Sequence, residues 1–323
     1  MRQLRPRPAQ VNTLKIKEFG IAAIRGCKNV LGRTLETVFS ALAIVAEPGI
    51  CRFQPPPRHV ERIAILGTGP SLRETFRDID PADLGEVAMM SVNEGYRAED
   101  FSILKPSYHL IADPVYWDDG SYDEHGRPLV AALAAAQWEI TLFMPSRSRG
   151  SRFHAALTEA KANVLFFRST AIKGLPLFEY FAFIAKLGMP RPQNVLVAAI
   201  SVALWMGYGE VAIVGADHTW HREIELSDAN VLMVRQVHSY DSAVEWKPFL
   251  KPSGISNTIL RKPLSASDTF SVREIFLAWA VVHESYEKLH AIARRSGAQV
   301  WNCSSTTFID AFKRKPFREF VRR

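Results

Sequence analysis

Cysteine is scarce in this 323-residue chain: Cys27, Cys51 and Cys303 are the only three, with no CxxC pair and no zinc-finger spacing. A disulfide framework and a structural zinc site are therefore not expected, and the cysteines read as reduced thiols of a cytosolic protein. No uninterrupted apolar run reaches eighteen residues, so no simple membrane-spanning helix is expected. The first dozen residues are basic and contain proline, without the apolar stretch of a secretory signal. Familiar catalytic signatures are missing too. There is no GxxxxGK[ST] loop, no complete GxGxxG fingerprint and no GxSxG elbow.

Charge is present but unevenly placed. Residues 1–33 carry +7 and residues 313–323 carry +5, so a net charge of +7 leaves the body between them at −5. A mildly acidic body with basic ends does not fit a nucleic-acid-binding core. Such ends can hold a protein against anionic lipid, or can simply be solvated. A cytoplasmic protein, peripheral on the inner face of the cytoplasmic membrane, is the corresponding expectation.

Hydrophobic periodicity divides the chain into three parts. Residues 1–58 form a basic, helical extension and a proline-rich linker, with apolar residues from Leu14 to Val45 at helical spacing. Residues 59–313 alternate short apolar strands with helices, which predicts an α/β, Rossmann-like fold: a mostly parallel sheet with helices on both faces. Residues 218–268 are irregular and polar, as in a lid or acceptor-binding insertion. Residues 314–323 read as a basic tail.

Within the α/β part, the strand–turn–helix at Arg62–Phe76 is the strongest local signal. Gly67, Thr68, Gly69, Pro70 and Ser71 form a tight turn whose glycines permit close backbone approach, and whose helix start offers free N–H groups to an anion. Other polar residues stand just beyond predicted strands: Asn93, Asp113, Asp217 and Asn302. In parallel sheets ligands bind beyond the C-terminal strand ends. Asn93 can read a base or ribose, or form a turn; Asp113 can do likewise, or cap a helix. Asp217 can bind a ribose, a metal or a substrate hydroxyl. His218 and His221 follow at a spacing of three, but a metal would need a third ligand, and none is assigned. Asp78-Ile-Asp80 has the form of a metal-binding DxD, yet its loop position reads as a cap or turn. His238, inside the polar insertion, is the candidate general base.

In order, Ile65-Leu-Gly-Thr-Gly-Pro-Ser-Leu72, Ser91-Val-Asn93, Ile111-Ala-Asp-Pro114, Asn194 through Tyr208, Val214-Gly-Ala-Asp217 and Trp301-Asn-Cys-Ser304 make a series. The series resembles the 6-hydroxymethylpterin pyrophosphokinase MptE-like family, formerly a domain of unknown function. More distantly it is similar to bacterial single-domain sialyltransferases with a GT-A-like Rossmann fold. The resemblance covers about residues 62–313. It implies that Gly67, Thr68, Gly69, Pro70, Ser71, Asn93, Asp113, Asn194, Asn302 and Ser304 contact a nucleotide, and that Asp217, His218 and His238 act in catalysis. The tyrosines that follow the acid in the sialyltransferases are here Thr219 and Trp220.

The implied function is a metal-independent glycosyltransferase of surface polysaccharide or lipopolysaccharide assembly. It would take a nucleotide-sugar donor, CMP-linked in the sialyltransferase case, and a saccharide or lipid-linked acceptor, with no separate cofactor. A homo-oligomer is compatible with this. The alternatives are an ATP-dependent pterin-type pyrophosphokinase, with magnesium held by Asp113 and Asp217, and a non-catalytic nucleotide-binding protein.

Overall fold

The computed structural model describes residues 29–47, 53–77, 79–235, 245–251 and 269–322. A first helix, α1, covers Asn29–Ala46. The sheet then begins with β1 (Arg62–Leu66), α2 (Ser71–Phe76), β2 (Val87–Val92), α3 (Asp100–Leu104), β3 (Tyr108–Leu110), α4 (Arg127–Ala135) and β4 (Thr141–Pro145). It continues with α5 (Arg152–Glu159), β5 (Asn163–Phe167), α6 (Pro176–Ile184), α7 (Val195–Trp205) and β6 (Glu210–Val214). After β7 (Ile224–Leu226), β8 (Leu232–Val234) and β9 (Lys247–Pro248) come α8 (Val272–Arg295), β10 (Gln299–Asn302), β11 (Lys313–Arg314) and α9 (Phe317–Val321).

Eight strands join in one parallel sheet, in the order β11-β10-β6-β1-β2-β3-β4-β5. The α/β, Rossmann-like expectation holds. The central strands are buried on both faces, which is why they read as continuous apolar runs. Ile63, Ile65, Val211 and Ile213 point to the layer of α6, α7 and α8, while Ala64, Leu66, Ala212 and Val214 point to that of α2 and α9. Helix α7 is apolar all round, and nine of its eleven residues are buried, as befits a helix at the centre of a core. Helix α8 starts at a capping box made by Ser271 and Glu274.

Strand order reverses at β1. The chain runs outward from β1 to β5, then returns to place β6 on the other side of β1. The carboxyl ends of β1 and β6 therefore flank the topological switch point, where open α/β sheets bind ligands.

Three parts differ from the expectations. The described part of the 218–268 insertion is not wholly irregular: β7, β8 and β9 form a small antiparallel sheet. Residues 314–322 are not a free tail. Lys313–Arg314 pairs with β10, and Phe317, Phe320 and Val321 of α9 are buried in the core, with Arg62 donating to the Phe320 carbonyl at 2.5 Å. Arg318 and Arg322 are exposed beside these buried apolar side chains, so the basic character of the segment belongs to the solvated side of a packed helix. Finally, α1 has a mean hydropathy of 1.3 and is long and apolar enough, by length and composition, to cross a membrane. The criterion of an unbroken apolar run had missed this, because polar residues punctuate the helix.

Candidate functional site

The site grows from the β1 and β6 ends. Gly67 donates to the Val214 carbonyl at 2.7 Å and Gly69 to the Gly215 carbonyl at 2.9 Å. Ser71, at the start of α2, donates its backbone N–H to Asp217 Oδ2 at 3.0 Å, and Leu72 donates to Gly69. The turn was expected to cradle a phosphate with free N–H groups. Instead, these four N–H groups are engaged within the protein.

The glycines have a corresponding purpose. A Cβ on Gly67 would lie 2.4 Å from the Gly215 oxygen; one on Gly69 would lie 2.5 Å from Asp217 Oδ2 and 2.7 Å from that same oxygen. Gly215 itself has φ +65°, a left-handed conformation that favours glycine. These residues permit close approach of one loop to the other, and so position Asp217. Gly69→Val is therefore expected to displace the Asp217 carboxylate and to destabilise the fold by about 1–3 kcal/mol through overpacking. Denaturant unfolding checks this, and unchanged stability would contradict it.

Asp217 is buried, and its Oδ1 has no hydrogen-bond partner among the described residues. Burial raises its carboxyl above the ordinary value, against the lowering effect of Ser71. Next to it, His218 adopts φ +53° and is also buried. Its Nε2 lies 2.8 Å from Tyr286 Oη, and Tyr286 in turn donates to Asn194 Oδ1 at 3.3 Å. Asn194 Oδ1 also accepts from Leu196 N at 2.8 Å and so caps α7. Burial lowers His218 to about 3, with His283 adding to the shift. At neutral pH the ring is uncharged and a weak base. It suits a positioning role better than a proton-accepting one.

The remaining expected residues separate into two groups. Thr68, Pro70, Asn93, Asp113 and Asn194 line the same cleft as Gly67, Gly69, Asp217 and His218. Asn93 has φ +42°, and its Oδ1 accepts from Ala112 N at 3.3 Å, tying the ends of β2 and β3 together. Asp113 Oδ1 accepts from Val115 N at 3.2 Å, the helix-cap reading. Asn302 and Ser304 are elsewhere, and both are structural. Asn302 donates to Thr307 Oγ1 and the Ile309 carbonyl and accepts from Ser304 N. Ser304 Oγ accepts from Ala216 N at 2.9 Å, bracing the Asp217 loop from behind. His221 packs against Phe308, with the rings tilted by 42°. His238 and Asp78 lie outside the described residues. No group of three metal-ligating side chains occurs among the described residues.

The cleft has a volume of about 1100 Å³. One wall is aromatic: Trp220, Trp246 and Trp279, with Trp220 and Trp279 5.9 Å apart at 32° and His218 stacked on Trp220 at 4.0 Å. The small β7–β8–β9 sheet contributes Ile224, Val234 and Lys247 to this wall. Among the described residues carboxylates outnumber fixed cations: Glu94, Asp113, Asp217, Glu223 and Glu245 line the cleft, against Arg97 and Lys247. Glu94 is held by the Tyr116 hydroxyl at 2.9 Å and by Arg97 at 3.4 Å. Sequence reasoning missed Trp279 and Tyr286. They belong to the inward stripe of α8, where aromatic residues at helical spacing read as ordinary core.

Compared with profiles of known families, with curated proteins and with solved structures, the chain matches none.

Proposed function

We propose that this protein is a glycosyltransferase acting on a nucleotide-activated sugar, with Asp217 taking the proton of the acceptor hydroxyl. The observation that carries the reading is the Asp217 carboxylate. It stands at the switch point, raised by burial, with Oδ1 lacking a hydrogen-bond partner among the described residues. A buried carboxylate oxygen without a partner is costly, and such costs are concentrated where a ligand completes the site. A carboxyl with a raised pKa is also a better proton acceptor than an ordinary one.

The surroundings suit the other parts of the reaction. A cleft of this size accommodates a nucleotide sugar. Tryptophan faces pack against the C–H faces of sugar rings. The N-terminal end of α7, at Asn194–Leu196, opens on the cleft with its positive dipole end, and Arg97 and Lys247 add positive charge for the departing phosphate. Asn93 and Asp113 line the cleft beyond neighbouring strands, which supports contacts to base or ribose through the polar atoms their own loops leave over. Positioning of α7 falls to the chain His218–Tyr286–Asn194.

A second reading, magnesium-dependent diphosphate transfer from ATP, is favoured by one observation: the excess of carboxylates in the cleft. A thermal-shift screen of CMP, UDP, GDP and ATP, with and without magnesium, separates the two. The glycosyltransferase reading expects stabilisation by a pyrimidine nucleotide without metal. Each hundredfold excess of ligand over its dissociation constant adds about 2.7 kcal/mol. Stabilisation by ATP alone, and only with magnesium, would replace it with the second reading.

A further inference from the structure

Helix α1 is attached to the protein by its polar side. Glu36 pairs with Lys173 at 3.0 Å. Thr37 Oγ1 accepts from Leu175 N at 2.9 Å, while Ser40 Oγ donates to the Lys173 carbonyl and accepts from its N–H. Glu47 accepts from Arg168 Nε at 3.4 Å and from Ser146 Oγ, and Arg168 also donates to the Ile44 carbonyl. Gly174 makes the approach possible: a Cβ there would lie 2.1 Å from Thr37 Oγ1. The opposite stripe of α1 is apolar and faces outward: Leu31, Leu35, Val38, Phe39, Leu42 and Val45 are all exposed, Phe39 by 68% and Val45 by 83%. A helix on the surface of a globular domain normally has the reverse polarity.

A second apolar stripe lies beside it. Leu177, Phe181 and Ile184 share one face of α6 at helical spacing, and Phe181 is 62% exposed. Leu175, at the start of α6, is the residue bonded to Thr37, so the two stripes adjoin. Of the nineteen exposed large apolar residues in the described parts, seven lie on α1 and five between Leu175 and Leu187. An apolar patch of this kind marks an interaction surface.

We propose that the α1–α6 face docks on an anionic lipid surface, with the apolar stripes entering the headgroup boundary. Charge selects this occupant. Residues 1–28, which lead into the helix, carry seven Lys/Arg and one acidic residue. Anionic headgroups complement that charge. A crossing helix would carry Glu36, Thr37, Ser40 and Glu47 into hydrocarbon without their partners, so α1 lies in the plane of the interface. Its C-terminal end, through Glu47, meets Ser146 and Arg168, just beyond β4 and β5 at the sheet edge that carries the cleft.

Vesicle flotation of the full chain tests the proposal. The protein should float with phosphatidylcholine vesicles containing phosphatidylglycerol, and much less with phosphatidylcholine alone or at high salt. Phe39→Glu with Phe181→Glu should lower partitioning about tenfold or more while leaving the melting temperature unchanged. Equal flotation of the two proteins, or no flotation of the unaltered protein, would overturn the proposal. So would a lipid-free dimer that the double substitution splits, without any flotation. Should the double variant fail to fold, hydrogen exchange on the unaltered protein decides. Slower exchange in residues 31–45 and 177–187 on adding anionic vesicles is expected, and unchanged exchange there would overturn it.

Discussion

Asp217→Asn is expected to lower turnover by about a hundred- to ten-thousand-fold, the usual effect of losing a general base. The substitution keeps the shape of the side chain, and its amide oxygen can still accept from Ser71 N, which lies 3.0 Å from Oδ2. Nucleotide affinity and melting temperature should therefore stay close to those of the unaltered protein. The comparison uses kcat for sugar transfer together with calorimetric nucleotide affinity. Near-normal kcat would remove Asp217 from the reaction, while loss of both activity and nucleotide affinity would make it a binding residue. His218→Gln, in contrast, should act through Tyr286 and Asn194, with a smaller fall in turnover.

Acid is expected to destabilise the protein well before its carboxylates protonate. His109 is wholly buried on β3, against the edges of Tyr96 and Phe101. Neither ring nitrogen has a well-formed hydrogen-bond partner among the described residues, and the Asn93 backbone beside the ring acts against the shift caused by burial. Burial lowers His109 to about 4 and His218 to about 3, against 6.5 for a free histidine. The unfolded chain therefore binds more protons than the folded one below pH 6.5. Their contribution is full above that value and is lost as pH falls, until the folded groups titrate in turn. By pH 5 each should cost about 2 kcal/mol, a large share of a typical stability. Asp217 works in the opposite direction, since its raised carboxyl favours folding as protons bind. Urea unfolding between pH 7.5 and pH 5 measures the balance. His109→Leu should retain only part of the histidine-linked loss; equal stability of the unaltered protein at both pH values would contradict the account.

The fold was legible where one local pattern had one meaning. Arg62–Leu66 and Glu210–Val214 are short apolar strands buried on both faces, and each is followed by a glycine turn. That pattern located the two glycine turns and Asp217. Other patterns had two meanings. The turn glycines suggested room for a ligand, but the atoms they make room for belong to Gly215 and Asp217, far along the chain. Periodicity identified an amphipathic α1 without saying which side faces the protein. Basic residues around Phe317, Phe320 and Val321 disguised α9 as a tail, since three buried apolar side chains in a short helix give little periodic signal. Asn302 and Ser304 stood at a strand end, as binding residues would, yet Asn302 bonds within its own loop and Ser304 Oγ to the backbone of the Asp217 loop.

The contact between Gly67 and Gly215 also constrains how this protein can vary. Two loops encoded far apart share one small volume, and a methyl group on either would intrude on the other's backbone or on Leu72. A mutation at one position is not repaired by a smaller neighbour at the other, because no residue is smaller than glycine. Lineages descending from a common ancestor should thus keep both glycines, or replace the whole crossing through coordinated insertions and deletions. Gradual drift at a single position would be the least travelled route.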